Sequence, residues 1–169
     1  MKGVEQFKYY TMWSFVIFMI TLVQIPFQIF PKWLVRAILV NSLAVGIGGT
    51  ILFCINAQKS LDVIKAENEG VLCEKALAKK VTEASIANTI YHTLPMLIAA
   101  LLLPIFRINI GEGEILWAVV FLVCFFLTWN LIPYNGKTFL DKIKIVYLEP
   151  PIWCLSLLPV IWLVFLFVG

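Results

Sequence analysis

The chain has 169 residues, 62% of them hydrophobic and only 14% charged, with a net charge of +3, one histidine and four cysteines. That composition excludes an ordinary soluble domain, so an integral membrane protein is expected, with lipid rather than nucleic acid as its natural surroundings. The charges collect in short stretches and leave five apolar runs, at about 9–30, 33–56, 84–106, 114–134 and 150–168, each near the ~20 residues a helix needs to cross a bilayer core.

Runs such as Leu97 to Leu103 are continuously apolar, which excludes the alternating pattern of a membrane β-barrel. The expected fold is therefore all-α, a polytopic helix bundle with five transmembrane helices in a single domain over 1–169. With five spans, ten lysines (Lys2, Lys8, Lys59, Lys65, Lys75, Lys79, Lys80, Lys137, Lys142 and Lys144) fall on one side, and only Lys32, Arg36 and Arg107 on the other. The positive-inside rule then makes the N-terminus cytoplasmic. The first run is too long for a signal-peptide core and no small-residue cleavage site follows it, so it is expected to be retained.

The first span is apolar from Met12 onward except for Ser14, Thr21 and Gln24. Pro26 has no N–H to donate to the carbonyl of Leu22, which predicts a bend near the far end. The turn at Pro31-Lys32 is too short for anything but antiparallel packing of the first two helices. In the second span Ser42/Gly46 and Ala44/Gly48 are small residues four apart, a spacing that lets another helix approach closely. Packing is the favoured reading there over a ligand site. The stretch 57–83 is polar and reads as two cytoplasmic helical pieces broken near Asn68-Glu69-Gly70, lying on the membrane surface or extending the flanking spans.

The third span opens with Ala87-Asn88-Thr89-Ile90-Tyr91-His92-Thr93-Leu94-Pro95 and holds the only histidine. A titratable side chain inside hydrocarbon is a functional candidate by default. Asn88 lies one turn before His92 on the same α-helical face, and Pro95 leaves the carbonyl of Tyr91 without its usual donor, so the helix is expected to be irregular beside the histidine. The fourth span ends in the polar and aromatic cluster Thr128 to Gly136, which includes Trp129 and Asn130, and Pro150-Pro151 suit the start of the fifth.

One histidine without intramembrane carboxylates cannot assemble a metal centre, and no metal or cofactor is expected. Cys54, Cys73, Cys124 and Cys154 are read as free thiols. Paired membrane carboxylates of the kind that mark an ion pathway are absent from the spans. Nucleophilic catalysis needs only a hydroxyl, a base and donors for the oxyanion. His92 lies ~12 Å along its helix from the expected cytoplasmic end and Thr11 ~10 Å along the first, so their depths match. Ser14 is a second hydroxyl, almost one turn deeper. As structural alternatives, a threonine near a helix start is commonly a cap or bonds its own backbone, and Trp129 and Asn130 suit the membrane interface.

Phe7-Lys8-Tyr9-Tyr10-Thr11-Met12-Trp13-Ser14, the Asn88 to Pro95 stretch and the aromatic Trp129 to Gly136 stretch together resemble signature regions of the androgen-induced membrane protein family and its bacterial relatives. That resemblance implies an intramembrane threonine hydrolase of fatty acid esters of hydroxy fatty acids, with Thr11 as nucleophile and His92 as general base. Asn88, Asn130, Ser14 and Trp129 are added here as supporting or substrate-binding groups. The chain departs from the family in being shorter, with five spans where about six are expected. The expected location is the endoplasmic reticulum or another internal membrane, with the plasma membrane as the alternative. Two other functions stand beside the hydrolase. One is a noncatalytic scaffold that gathers partner helices, or further copies of itself, on the small-residue face of the second span; the other is a small channel or carrier with His92 on its path.

Overall fold

The computed structural model describes residues 10–67, 74–106, 112–131 and 153–168, all in helices or in the short turns that join them. In chain order these are α1 (Tyr10–Gln24), a 3-10 turn (Ile25–Phe27), α2 (Lys32–Glu67), α3 (Glu74–Asn88), a π-helical turn (Thr89–Thr93), α4 (Leu94–Leu102), α5 (Glu112–Leu131) and α6 (Trp153–Val168). No strand occurs among the described residues. Among the described residues three stretches, Tyr10–Phe27, Lys32–Thr50 and Ala78–Leu102, are long and apolar enough to cross a membrane, and Gly113–Trp129 is a shorter apolar helix.

Pro26 ends α1 instead of bending it. Beyond Gln24 the chain tightens into the 3-10 turn, and Gln28 adopts the left-handed conformation at φ 52°, donating its N–H to the Ile25 carbonyl at 3.2 Å. The Gln24 side chain closes the turn by accepting the Phe30 N–H at 2.8 Å. The Pro31 carbonyl then accepts from Leu34 and Val35 and opens α2. At the other end α2 does not stop near residue 56. It continues to Glu67, 36 residues in all and about 54 Å long at 1.5 Å per residue, while α3 begins at Glu74. Of the two readings of the polar stretch, the structure takes the one in which it extends the flanking helices. Its expected break at 68–70 lies outside the described residues.

Helix α2 is the hub, packed against α1, α4, α5 and α6. From Val35 to Gly46 every residue is buried, as a helix enclosed on all sides requires. α1 is patterned inside out. Its buried face carries Tyr10, Ser14, Phe18, Thr21 and Gln24, and its exposed face Val16, Met19, Ile20 and Val23. Water would favour the reverse arrangement; lipid favours this one, because polar side chains there gain only by facing one another.

Arg36 fixes the polarity of the bundle. It is 2% exposed, and its guanidinium donates to the Phe106 carbonyl at 3.4 Å and the Leu166 carbonyl at 3.3 Å. Both acceptors lie at the C-terminal ends of helical stretches, where carbonyls lack intrahelical donors and the helix dipole is negative. The start of α2 and the ends of α4 and α6 therefore meet at one end of the bundle, with the end of α1 beside them. Tyr10 and Trp129 meet at the opposite end, their ring centroids 5.4 Å apart. Spans consecutive in the chain thus alternate in direction, while α2 and α5, which pack together, run the same way.

Candidate functional site

The irregularity expected beside His92 takes the form of one π-helical turn over Thr89–Thr93, in which the Leu94 N–H reaches back five residues to the Thr89 carbonyl. Pro95 explains why the ladder changes here: it has no N–H for the Tyr91 carbonyl, so the turn has nothing to lose by widening. The wider turn also moves His92 out of the strict alignment with Asn88 that an α-helix would impose. Asn88 is half-buried and makes no hydrogen bond to His92.

What holds His92 is α2. Its Nδ1 lies 3.4 Å from the Val45 carbonyl oxygen, and the ring rests on the bare backbone of Gly49. A Cβ at Gly49 would fall on Nδ1 and come within 2.5 Å of Cε1. One turn away, a Cβ at Gly46 would fall on Met96 Cβ and lie 2.7 Å from the His92 carbonyl oxygen. The small residues of α2 are therefore packing positions, as expected, but the pair in use is Gly46 and Gly49, three apart, and what they admit is the histidine turn of the same chain.

Tyr91, the neighbour of His92, turns the other way and meets Phe15 of α1 edge-on, with ring centroids 5.0 Å apart. Thr11 is half-buried and lies four residues before Phe15, on the same face of α1. The segments carrying Thr11 and His92 are thus neighbours through the Phe15–Tyr91 pair, and no hydrogen bond joins the two side chains. Ser14 is engaged elsewhere. Tyr10 Oη donates to Asn41 Oδ1 at 2.7 Å, and Asn41 Nδ2 donates to Ser14 Oγ at 2.9 Å, all three residues buried.

Trp129 is 4% exposed and is a core residue, not an interface anchor. With Phe125 and Phe126 it surrounds the Tyr10 ring at centroid distances of 5.4–5.6 Å. The side chains of Asn130, Cys54, Cys73 and Cys154 lie outside those described, whereas Cys124 is a free thiol. Among the described residues no three His, Cys, Asp or Glu side chains converge on a common point.

Sequence reasoning missed Tyr10 and Val45 as determinants of this region. Asn41 in an apolar span signals a buried partner, and Tyr10 could have been named as that partner from its place opposite in the antiparallel pair. Val45 acts through its backbone and carries no side-chain signal. Compared with known proteins, the chain matches no family model, no curated protein and no solved structure.

Proposed function

We propose that the chain is a five-span membrane protein with a cytoplasmic N-terminus, residing in the endoplasmic reticulum or another internal membrane, and that it hydrolyses fatty acid esters within the bilayer. The fifth span in this reading is α6 and the fourth α5. The observation that carries the proposal is the seat of His92: the sole histidine lies between helices in an apolar bundle, held against Val45 and Gly49, in a segment packed against the Thr11 face of α1. What supports the reading is that a base held in one orientation lies in a segment neighbouring one that carries a hydroxyl, the two groups that acyl transfer requires.

In this mechanism Thr11 Oγ1 attacks the ester carbonyl carbon while His92 takes its proton. The tetrahedral intermediate collapses, the ester C–O bond breaks, and the leaving alkoxide takes that proton from His92. Water, deprotonated in turn by His92, then attacks the acyl-threonine, releasing the fatty acid and restoring Thr11. The substrate class follows the resemblance to the androgen-induced membrane protein family: fatty acid esters of hydroxy fatty acids.

The test is fatty acid release from such an ester in lipid nanodiscs. Thr11→Ala and His92→Gln should each lower the rate by ~10²-fold or more, and Thr11→Ser should retain part of it. Folded variants that cleave at the wild-type rate would refute the assignment.

One observation favours a second reading, a noncatalytic scaffold. α2 runs on from Thr50, the end of its apolar stretch, to Glu67, roughly 25 Å further, and α2 is in contact with α3, so helical surface beyond the apolar stretch would be open to a partner. The channel reading draws less support: of Asn41, Ser42 and Thr50 in the apolar part of α2, the first two are hydrogen-bonded to Tyr10, Ser14 and the Ile38 carbonyl.

A further inference from the structure

We infer that Val45 and Gly49 are positioning residues that keep the ring proton of neutral His92 on Nδ1, leaving Nε2 as its only basic atom. Three observations meet here. The group facing Nδ1 is a backbone carbonyl oxygen at 3.4 Å, which can only accept a hydrogen bond. If Nδ1 also carried a lone pair, two electron-rich atoms would face each other at a separation too short for a water molecule between them. The ring atoms nearest to the Cβ position of Gly49 are Nδ1, Cε1 and Cγ, so the Nδ1 edge is turned into α2 and the opposite edge, bearing Nε2, away from it. Finally, a side chain at Gly49 would occupy the place of the ring, so glycine there is the condition for the ring to reach the Val45 carbonyl.

Which nitrogen of a histidine is protonated is decided by the hydrogen bond that the other side of the ring makes. Free histidine in water favours the proton on Nε2. The Val45 carbonyl reverses that preference, and it does so through backbone atoms, leaving no side-chain change by which to recognise it. For proton transfer the consequence is directional: a hydroxyl or water can be deprotonated only from the Nε2 side, the side facing away from α2. The tautomer assignment rests on geometry alone. Its use in ester cleavage rests on the hydrolase proposal above.

Because His92 is the only histidine, the assignment can be read from one ring. The full chain, purified on a histidine-free tag, is labelled with ring-15N histidine and placed in nanodiscs at a pH where the imidazole is neutral. Two-bond 1H–15N correlations then distinguish the protonated nitrogen from the bare one. The expected spectrum has Nδ1 protonated and Nε2 bare in the dominant form. A dominant Nε2–H form, or an even mixture, overturns the inference, and this needs no variant. In Gly49→Ala the ring is displaced, and the spectrum should shift toward the Nε2–H form of free histidine. A folded Gly49→Ala protein with an unchanged tautomer would show that the glycine seat does not set it. A dominant Nδ1–H form together with ester cleavage unaffected by His92→Gln would leave the tautomer assignment standing and remove the hydrolase reading.

Discussion

Replacing Tyr10 with phenylalanine removes a single hydroxyl and keeps the ring among Phe125, Phe126 and Trp129. What is lost is the 2.7 Å hydrogen bond to Asn41 Oδ1. Interhelical hydrogen bonds in membranes contribute ~0.6 kcal/mol on average and ~1.7 at most, and an acceptor left buried and unsatisfied adds to the cost. Tyr10→Phe should therefore destabilise by about 1–2 kcal/mol. Tyr10→Ala also empties the aromatic cluster and should cost roughly 3–5 kcal/mol. The assay is reversible unfolding in mixed micelles titrated with a denaturing detergent. Asn41→Ala and the Tyr10→Phe/Asn41→Ala double variant complete the cycle. The two changes should be coupled by ~1 kcal/mol, because the second has nothing left to break once the first is made. Additivity to within ~0.3 kcal/mol would refute the view that this hydrogen bond ties α1 to α2.

Gly46→Ala should destabilise by ~1–3 kcal/mol through overpacking against Met96 and the His92 carbonyl, and adding Met96→Ala should recover part of the loss in the same unfolding assay. Arg36→Met removes the donor that two helix ends share, with a loss of ~2 kcal/mol, and Arg36→Lys should lose less because it keeps the charge. Phe18→Ala, at a position 1% exposed, should cost ~3 kcal/mol through the cavity it leaves. Val23→Ala, at a position of the same helix 67% exposed, should stay within ~0.5 kcal/mol; equal costs at the two sites would mean that α1 is rotated from the orientation described.

Helices were legible in the sequence because membrane spans announce themselves by length and apolarity, and the interruption beside His92 because Pro95 withholds a donor. The limits of that reading have equally local causes. Apolarity marks where a span leaves hydrocarbon, not where its helix ends, so the sequence bounds the second span near 56 but leaves open whether the helix runs on, as α2 does to Glu67. Arg36 reads as one of the outer charges, and only the convergence of the α4 and α6 ends shows why it is buried. Ser14 and Thr11 look alike as hydroxyls on one apolar helix. Three residues of spacing turn Ser14 toward Asn41, while Thr11 stays on the Phe15 face, and nothing in the sequence says which face meets which neighbour.

The π-helical turn ties these observations together. Adjacent residues in it serve different helices: Tyr91 packs on Phe15 of α1, and His92 on Val45 and Gly49 of α2. A histidine needed only to fill space would not require a glycine beneath it, since any smaller apolar residue could pack against an ordinary α2 surface without that vacancy. The combination of an absent side chain at Gly49, a carbonyl aimed at Nδ1 and a widened turn that carries the ring there specifies orientation as well as volume. A buried imidazole needs an acceptor for its N–H whether or not it exchanges a proton; on the hydrolase proposal the same orientation also fixes which nitrogen is left to act as the base. The same turn of α2 also receives Met96 at Gly46, so the contact that closes α2 against the third helical stretch is the one that aims the histidine. On the hydrolase proposal, packing and chemistry at this position therefore cannot be altered separately from the α2 side.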